Sequence, residues 1–280
     1  FDITTLSWSP RMAELLRVPI STLPEVRPSS SRFGVTSCPE LPSGIPISGI
    51  AGDQQSALFG QACFTVGSAK NTYGTGSFIL MNVGDQCPTP TSGLLTTVAW
   101  SIRRPDGTIT TTYALEGAVF VTGAAIQWLR DGLGIISHAA EIGPLATTVD
   151  DNGGIHVVPA LTGLGSPWWD PNARGTIVGI TRGTTKAHIA RAVVESMALQ
   201  SRDAIDAMQR ASGRDIVDLR VDGGASVMDL LLQIQADQLG ITIMRPRDQE
   251  TTSLGAAYLA GLAEGVWADL DEISAGWAAE

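Results

Sequence analysis

Residues 216–240, IVDLRVDGGASVMDLLLQIQADQLG, change period halfway along. In the first part Leu219 and Val221 alternate with Asp218, Arg220 and Asp222, the two-residue rhythm of a half-buried strand. Gly223 and Gly224 stop that strand, and ASVMDLLLQIQADQLG continues with helical spacing. A strand that passes through glycines into a helix is the building unit of an α/β sheet. The flanking segments repeat it. ITIMRP at 241–246 reads as a short strand, and TTSLGAAYLAGLAEGVW at 251–267 as a helix whose Gly and Ala residues suit close packing. Upstream, TTKAHIARAVVESMALQSRDAIDAMQRAS at 184–212 is the longest helical stretch, with Ile189, Val193, Met197, Ile205 and Met208 on one face and Gly213 past its end. IHVVPAL at 155–161 reads as a buried strand, followed by an irregular Gly/Pro-rich loop through Gly175.

The first half is less regular. MAELLRVPI at 12–20 is a short amphipathic segment, and LPEVRPSSSRFG at 23–34 reads as a loop-rich connection because its prolines oppose continuous helix or strand. GIPISGIAG at 44–52 resembles a buried strand ending in glycines, and DQQSALFGQACF resumes as a helix with Asp53 where an N-cap belongs. Two hairpins follow. AKNTYGTGSFILMNVG at 69–84 turns at Gly74-Thr75-Gly76, and VAWSIRRPDGTITTTYALEG at 98–117 turns at Pro105-Asp106-Gly107. AVFVTGAAIQWLRDGLG at 118–134 has helical periodicity, ended by Gly132 and Gly134.

With 280 residues and 44% hydrophobic content the chain is long and apolar enough to bury a core. A formal charge of −10 and the lack of any Lys/Arg run exclude a nucleic-acid partner. Cys38, Cys63 and Cys87 form no C-x-x-C and are odd in number, which suits a reducing cytoplasm. No apolar stretch approaches a membrane span, and the opening FDITTLSWSP has neither the marks of a leader nor an initiating Met, so a piece of a longer protein is expected.

Lys70 and Lys186 are the only lysines, and neither stands in a Walker-type loop; His138, His156 and His188 lack zinc-site spacing; no nucleophile elbow is present. Glycine-bearing turns remain, where backbone N–H groups approach an anion unobstructed. Gly74-Thr75-Gly76 is either a phosphate turn or a plain hairpin turn, and Asp222-Gly223-Gly224-Ala225 either a nucleotide-holding strand end or a tight turn. Gly123 weakens its helix, so a neighbour or a ligand needs the space. Asp53 is either a helix cap or a general base toward a substrate hydroxyl. Trp168 and Trp169 either pack or meet a sugar face.

Taken in order, GDQQSALFGQ, AKNTYGTGSF, YALEGAVFVTGAAIQWLRD, VPALTGLGSPWWDPNARGTIVGITRGT, LRVDGGAS and TTSLGAAYLAGL resemble the later half of the FGGY carbohydrate kinase family across nearly the whole chain. The wording GDQQ, NTYGTG and ALEG is most similar to the members that phosphorylate glycerol. This resemblance implies an α/β fold of the actin/hexokinase type (ribonuclease H-like), with 1–62 as the end of the N-terminal substrate domain plus the interdomain connection, and 63–280 as the C-terminal nucleotide-binding domain. It implies transfer of a phosphoryl group from ATP, with Mg²⁺, to glycerol or a related polyol by a cytoplasmic enzyme that is a homo-oligomer at full length, and no activity for this piece alone. Position by position it assigns Asp53 as catalytic base, Gln54 and Phe78 to the polyol, and Gly74, Thr75, Gly123, Gln127 and Gly224 to the nucleotide. No metal ligand is carried over. Where the family continues with Ala-Asn-Asn this chain has Val227, Met228 and Asp229, so Met228 stands where an adenine-reading Asn is expected. A kinase for xylulose or erythritol, or a nucleotide-binding module without catalysis, are the alternative readings.

Overall fold

The computed structural model describes residues 1–104 and 106–280; Pro105 of the second hairpin turn lies outside the described residues. In chain order come α1 (Pro10–Leu15), β1 (Ser30–Val35), β2 (Pro46–Gly49), α2 (Asp53–Gly60), β3 (Ser68–Tyr73), β4 (Ser77–Gly84), β5 (Leu95–Arg103), β6 (Ile109–Val119) and α3 (Gly123–Gln127). A π-helical turn, Trp128–Gly132, precedes α4 (Ile142–Ala146), β7 (His156–Val158), β8 (Thr176–Val178), α5 (Lys186–Ser212), β9 (Asp218–Asp222), α6 (Asp229–Leu239), β10 (Ile243–Met244), α7 (Thr251–Glu264) and α8 (Leu270–Gly276).

Eight strands form one mixed sheet in the order β10-β9-β3-β4-β6-β5-β1-β2. The β10, β9 and β3 strands run parallel, and β3, β4, β6 and β5 pair antiparallel. Side-chain alternation divides the core between the two faces. Ile79 and Met81 of β4 join Val193, Met197 and Ile205 of α5, whereas Leu80 joins Leu58 and Phe59 of α2 and Leu259 of α7. The small residues of α7 allow the close crossing anticipated for them: a Cβ on Gly255 would stand 1.8 Å from the Ser56 carbonyl oxygen of α2. The longest helix begins with Thr185, whose backbone N–H donates to His188 Nδ1 at 3.1 Å, and ends on Gly213 at φ +64°.

Several sequence expectations change. The helix anticipated from Ala118 starts at Gly123, because Ala118 and Val119 still pair with Phe78 and Ser77 as the end of β6. The connection at 23–34 contains β1 from Ser30 onward, stabilised by pairing with β2 and β5 that no local pattern shows. Of β2 only Ser48 is buried, since this strand is the sheet's edge, and β7 is exposed at His156 and Val158 in a separate two-stranded sheet with β8. Helix α6 begins at Asp229, leaving residues 223–228 as an extended turn.

Candidate functional site

The Gly74-Thr75-Gly76 turn is tied to the start of α3. Gly123 N–H donates to the Gly74 carbonyl at 3.1 Å, Thr122 N–H and Ala124 N–H donate to the Thr75 carbonyl at 3.1 and 2.9 Å, and Thr122 Oγ1 donates to the Gly74 carbonyl at 3.2 Å. This explains Gly123: a Cβ there would meet the Gly74 oxygen at 2.5 Å, so the neighbour needs the space. Among the described residues the N–H groups of Thr75 and Gly76 donate to no protein acceptor, and Gly74 and Thr75 are exposed.

The turn forms one wall of a cavity of about 800 Å³, which Gly74, Thr75, Gly123, Gln127, Gly224 and Met228 all line. The remaining lining is mostly apolar, from Ile126, Ile142, Pro144, Val227 and Leu230, with Arg130, Thr147 and Asp229 as polar members. The two glycines of the β9 turn behave differently. Gly223 sits at φ +84° with its Cβ position 2.6 Å from the Tyr73 carbonyl oxygen, whereas a Cβ on Gly224 meets nothing within 4 Å. Gly223 is therefore required by the fold, and Gly224 keeps the cavity open. A Cβ on Gly143 would touch Met228 Cγ at 3.3 Å, so the thioether side chain lies along the cavity beside α4.

Asp53, Gln54 and Phe78 are not among the residues lining that cavity; they lie on the α2 face of the sheet. Asp53 is the first residue of α2 and Gly52 is the N-cap, so the cap reading of Asp53 is replaced: its carboxylate is exposed. Asp53 Oδ1 accepts from the Gln54 N–H at 2.8 Å and Oδ2 from Gln54 Nε2 at 3.3 Å. Gln54 Oε1 in turn accepts from Nζ of Lys70, which also donates to Thr72 Oγ1 at 2.9 Å. Burial pushes Lys70 down to about 8, against the opposing pull of Asp222, Glu116 and Asp53. Burial holds Glu116 above the ordinary carboxylate range, with Lys70 opposing and Asp53 reinforcing the shift. The Asp222 carboxylate accepts from Gln61 Nε2 at 2.8 Å and Thr251 Oγ1 at 2.6 Å.

Sequence reasoning gave no role to Lys70 or Glu116 and took Asp222 only as part of the glycine turn. The one signal for Lys70 was a lysine inside a strand of otherwise small or apolar-compatible residues; Glu116 and Asp222 lie on β6 and β9, and only the folded sheet turns all three toward α2. The two clusters meet on β3: Lys70 and Thr72 face α2, Tyr73 donates from Oη to Gln235 Oε1 of α6 at 3.0 Å, and Gly74 opens the turn. In the tryptophan loop Trp168 is 62% exposed, while Trp169 Nε1 donates to the Gly93 carbonyl at 2.9 Å and its ring meets Phe120 edge-on. Among the described residues no helix is long and apolar enough to cross a membrane.

Comparison with known proteins adds the following. The profile of the FGGY family of carbohydrate kinases, C-terminal domain, matches residues 69–264, and that of its N-terminal domain matches residues 1–60. The chain is 56% identical to a glycerol kinase of Saccharolobus islandicus (strain M.14.25) over 99% of its length and 54% of that protein's, and 56% identical to one of Bordetella parapertussis over 100% and 55%. The crystal structure of Plasmodium falciparum glycerol kinase with ADP superposes with a TM-score of 0.90 at 36% identity, covering 98% of this chain and 54% of that one. The chain thus spans about half the length of the curated relatives it matches.

Proposed function

Because this chain belongs to the FGGY family of carbohydrate kinases, we propose that it carries the nucleotide side and the catalytic base of an enzyme that transfers the γ-phosphoryl group of ATP to glycerol. The observation that carries the reading is the Gly74-Thr75 turn at the wall of a mostly apolar cavity of about 800 Å³, with no protein acceptor, among the described residues, for the N–H groups of Thr75 and the adjoining Gly76. Amides fixed by a hydrogen-bonded turn are suited to phosphate oxygens, and an apolar slot of this size to a nucleoside. Gly74, Thr75 and Gly123 then stand on the phosphate side, and Gln127, Gly224 and Met228 toward the nucleoside. The glycerol kinase of Plasmodium falciparum, solved with ADP, supports the nucleotide assignment.

Asp53 is the general base of this reading: an exposed carboxylate, oriented by two hydrogen bonds from Gln54, takes the proton of the attacking hydroxyl. Gln54 and Phe78 contact the polyol beside it. Mg²⁺ enters as the phosphates' counter-ion, which keeps several waters and needs few carboxylates; the described residues gather no group of three or more metal-ligating side chains, and no step is routed through the ion. The domain boundary near residues 62 and 63, a cytoplasmic setting for the three free thiols, and homo-oligomerisation of the full-length enzyme complete the reading.

The test is a coupled assay of glycerol 3-phosphate formation by the full-length enzyme with and without Asp53→Asn. The variant loses at least about a hundredfold in kcat, within the range of a general base, and retains nucleotide binding. Near-normal turnover would remove Asp53 from the chemistry. A higher kcat/KM for xylulose or erythritol than for glycerol would assign another polyol.

A further inference from the structure

Lys70 is entirely buried and, among the described residues, pairs directly with no carboxylate. Its charge is answered at longer range by Asp222 on β9, Glu116 on β6 and Asp53 on α2, while burial keeps the nearby Cys63 thiol neutral and Arg220 of β9 is the other cation in the neighbourhood. An ammonium only donates and a carboxylate only accepts. The primary amide of Gln54 lies between one of each, so a single orientation satisfies both neighbours: Oε1 toward Lys70 and Nε2 toward Asp53.

We infer that Lys70 is a positioning residue for phosphoryl transfer, which locks the Gln54 amide and through it holds the Asp53 carboxylate in the geometry that receives the acceptor's proton. The inference rests on the reading of Asp53 as base. Burial sets the Lys70 ammonium to ionise near pH 8. Below that pH the ammonium dictates the amide orientation. Above it the amine is neutral, the bond to Gln54 Oε1 loses its charge assistance, and the amide that holds the Asp53 carboxylate is anchored more weakly.

The experiment measures kcat and KM from neutral to alkaline pH for the full-length enzyme, Lys70→Met, Gln54→Met and the double variant. Wild-type kcat falls along an alkaline limb near pH 8. Each single variant loses between about 10- and 100-fold in kcat, the scale of a misplaced catalytic group, and lacks that limb, while KM for ATP stays within about twofold. The double variant is no slower than the slower single one, because both changes break one link. Gln54 is partly exposed, so Gln54→Met and the wild-type profile decide the matter even if Lys70→Met does not fold. An alkaline limb that survives in Gln54→Met, or losses that multiply in the double variant, would overturn the role of Lys70. Loss of activity in Asp53→Asn alongside normal kinetics in Gln54→Met refutes Lys70 alone; normal activity in Asp53→Asn refutes the base.

Discussion

Lys70, the end of the Asp53–Gln54–Lys70 chain, lies on β3 four residues before Gly74 opens the Gly74–Gly76 turn, yet the two sites are made of different material. The turn and its cavity are built mainly of main-chain amides, glycines and apolar side chains, with Arg130 and Asp229 also in the lining, and the turn is held by backbone hydrogen bonds to α3. The α2 side consists of charges, one of them buried, joined through a single amide. Backbone amides do not titrate, so the cavity side responds chiefly to changes of shape. The charged side responds to changes of charge and pH. One short strand thus carries two sites with separable sensitivities, and that separation is open to direct attack.

The largest effect is expected from the neighbouring glycines of the β9 turn. Gly223→Ala forces a side chain into φ +84° and against the Tyr73 backbone at 2.6 Å. It destabilises the chain by at least about 4 kcal/mol, seen as a lower urea midpoint or as loss of folded protein. Gly224→Val, with open space around it, leaves that midpoint nearly unchanged and weakens ATP binding in calorimetry, because the added methyls occupy the cavity. Equal stability losses at both positions would mean that Gly224 also serves the fold.

Next comes the pH dependence of stability. The folded Lys70 ionises at about 8 against 10.5 for an ordinary lysine, so between those values the unfolded chain binds the extra proton. Stability from this residue is lowest below pH 8 and rises as the pH approaches 10.5, by about 3 kcal/mol across the window. Cys63 and Tyr73, which burial shifts upward, act in the opposite sense at high pH. The measurement is therefore the difference in unfolding free energy between wild type and Lys70→Met. A pH-independent difference would mean that Lys70 keeps its ordinary affinity for protons when buried. ATP affinity of the same protein stays flat over this range if the cavity depends on shape alone.

The smallest effect concerns Met228. A thioether along the cavity wall fills space and discriminates poorly between purines. The full-length enzyme should show a weak preference for ATP over GTP, and Met228→Asn should raise that preference by about tenfold, the worth of one well-made hydrogen bond. A preference above about a thousandfold in the wild type would place base recognition in other residues.

Much of the architecture could be read along the chain. The β9 strand, its glycine turn, the long α5 helix and the β3–β4 hairpin all followed from windows of ten to thirty residues, because periodicity and glycine conformations are local properties. Six of the residues lining the cavity were named by family resemblance, and the fold brought these six together. The edge strands β1 and β2 were harder to see, since their stability comes from partners elsewhere in the sequence.

The linear order was enough for the strand-to-helix sequence and for marking Asp53 and the Gly74–Gly76 turn as candidates, because those depend on neighbours within a few residues; the base and phosphate readings came from the family resemblance. Three things were decided only by folding. Asp53 proved to be a free carboxylate on the first turn of α2 because Gly52 takes the cap position. Gly223 and Gly224, identical side by side in the sequence, were separated into a structural and a spatial role by the distance of each from Tyr73. Lys70 became a buried cation aimed at Gln54, sixteen residues earlier, because α2 crosses over β3 on the side that Lys70 faces. The cost of burying that charge depends on which carboxylates the sheet brings near it, and Asp222, Glu116 and Asp53 come from three separate elements.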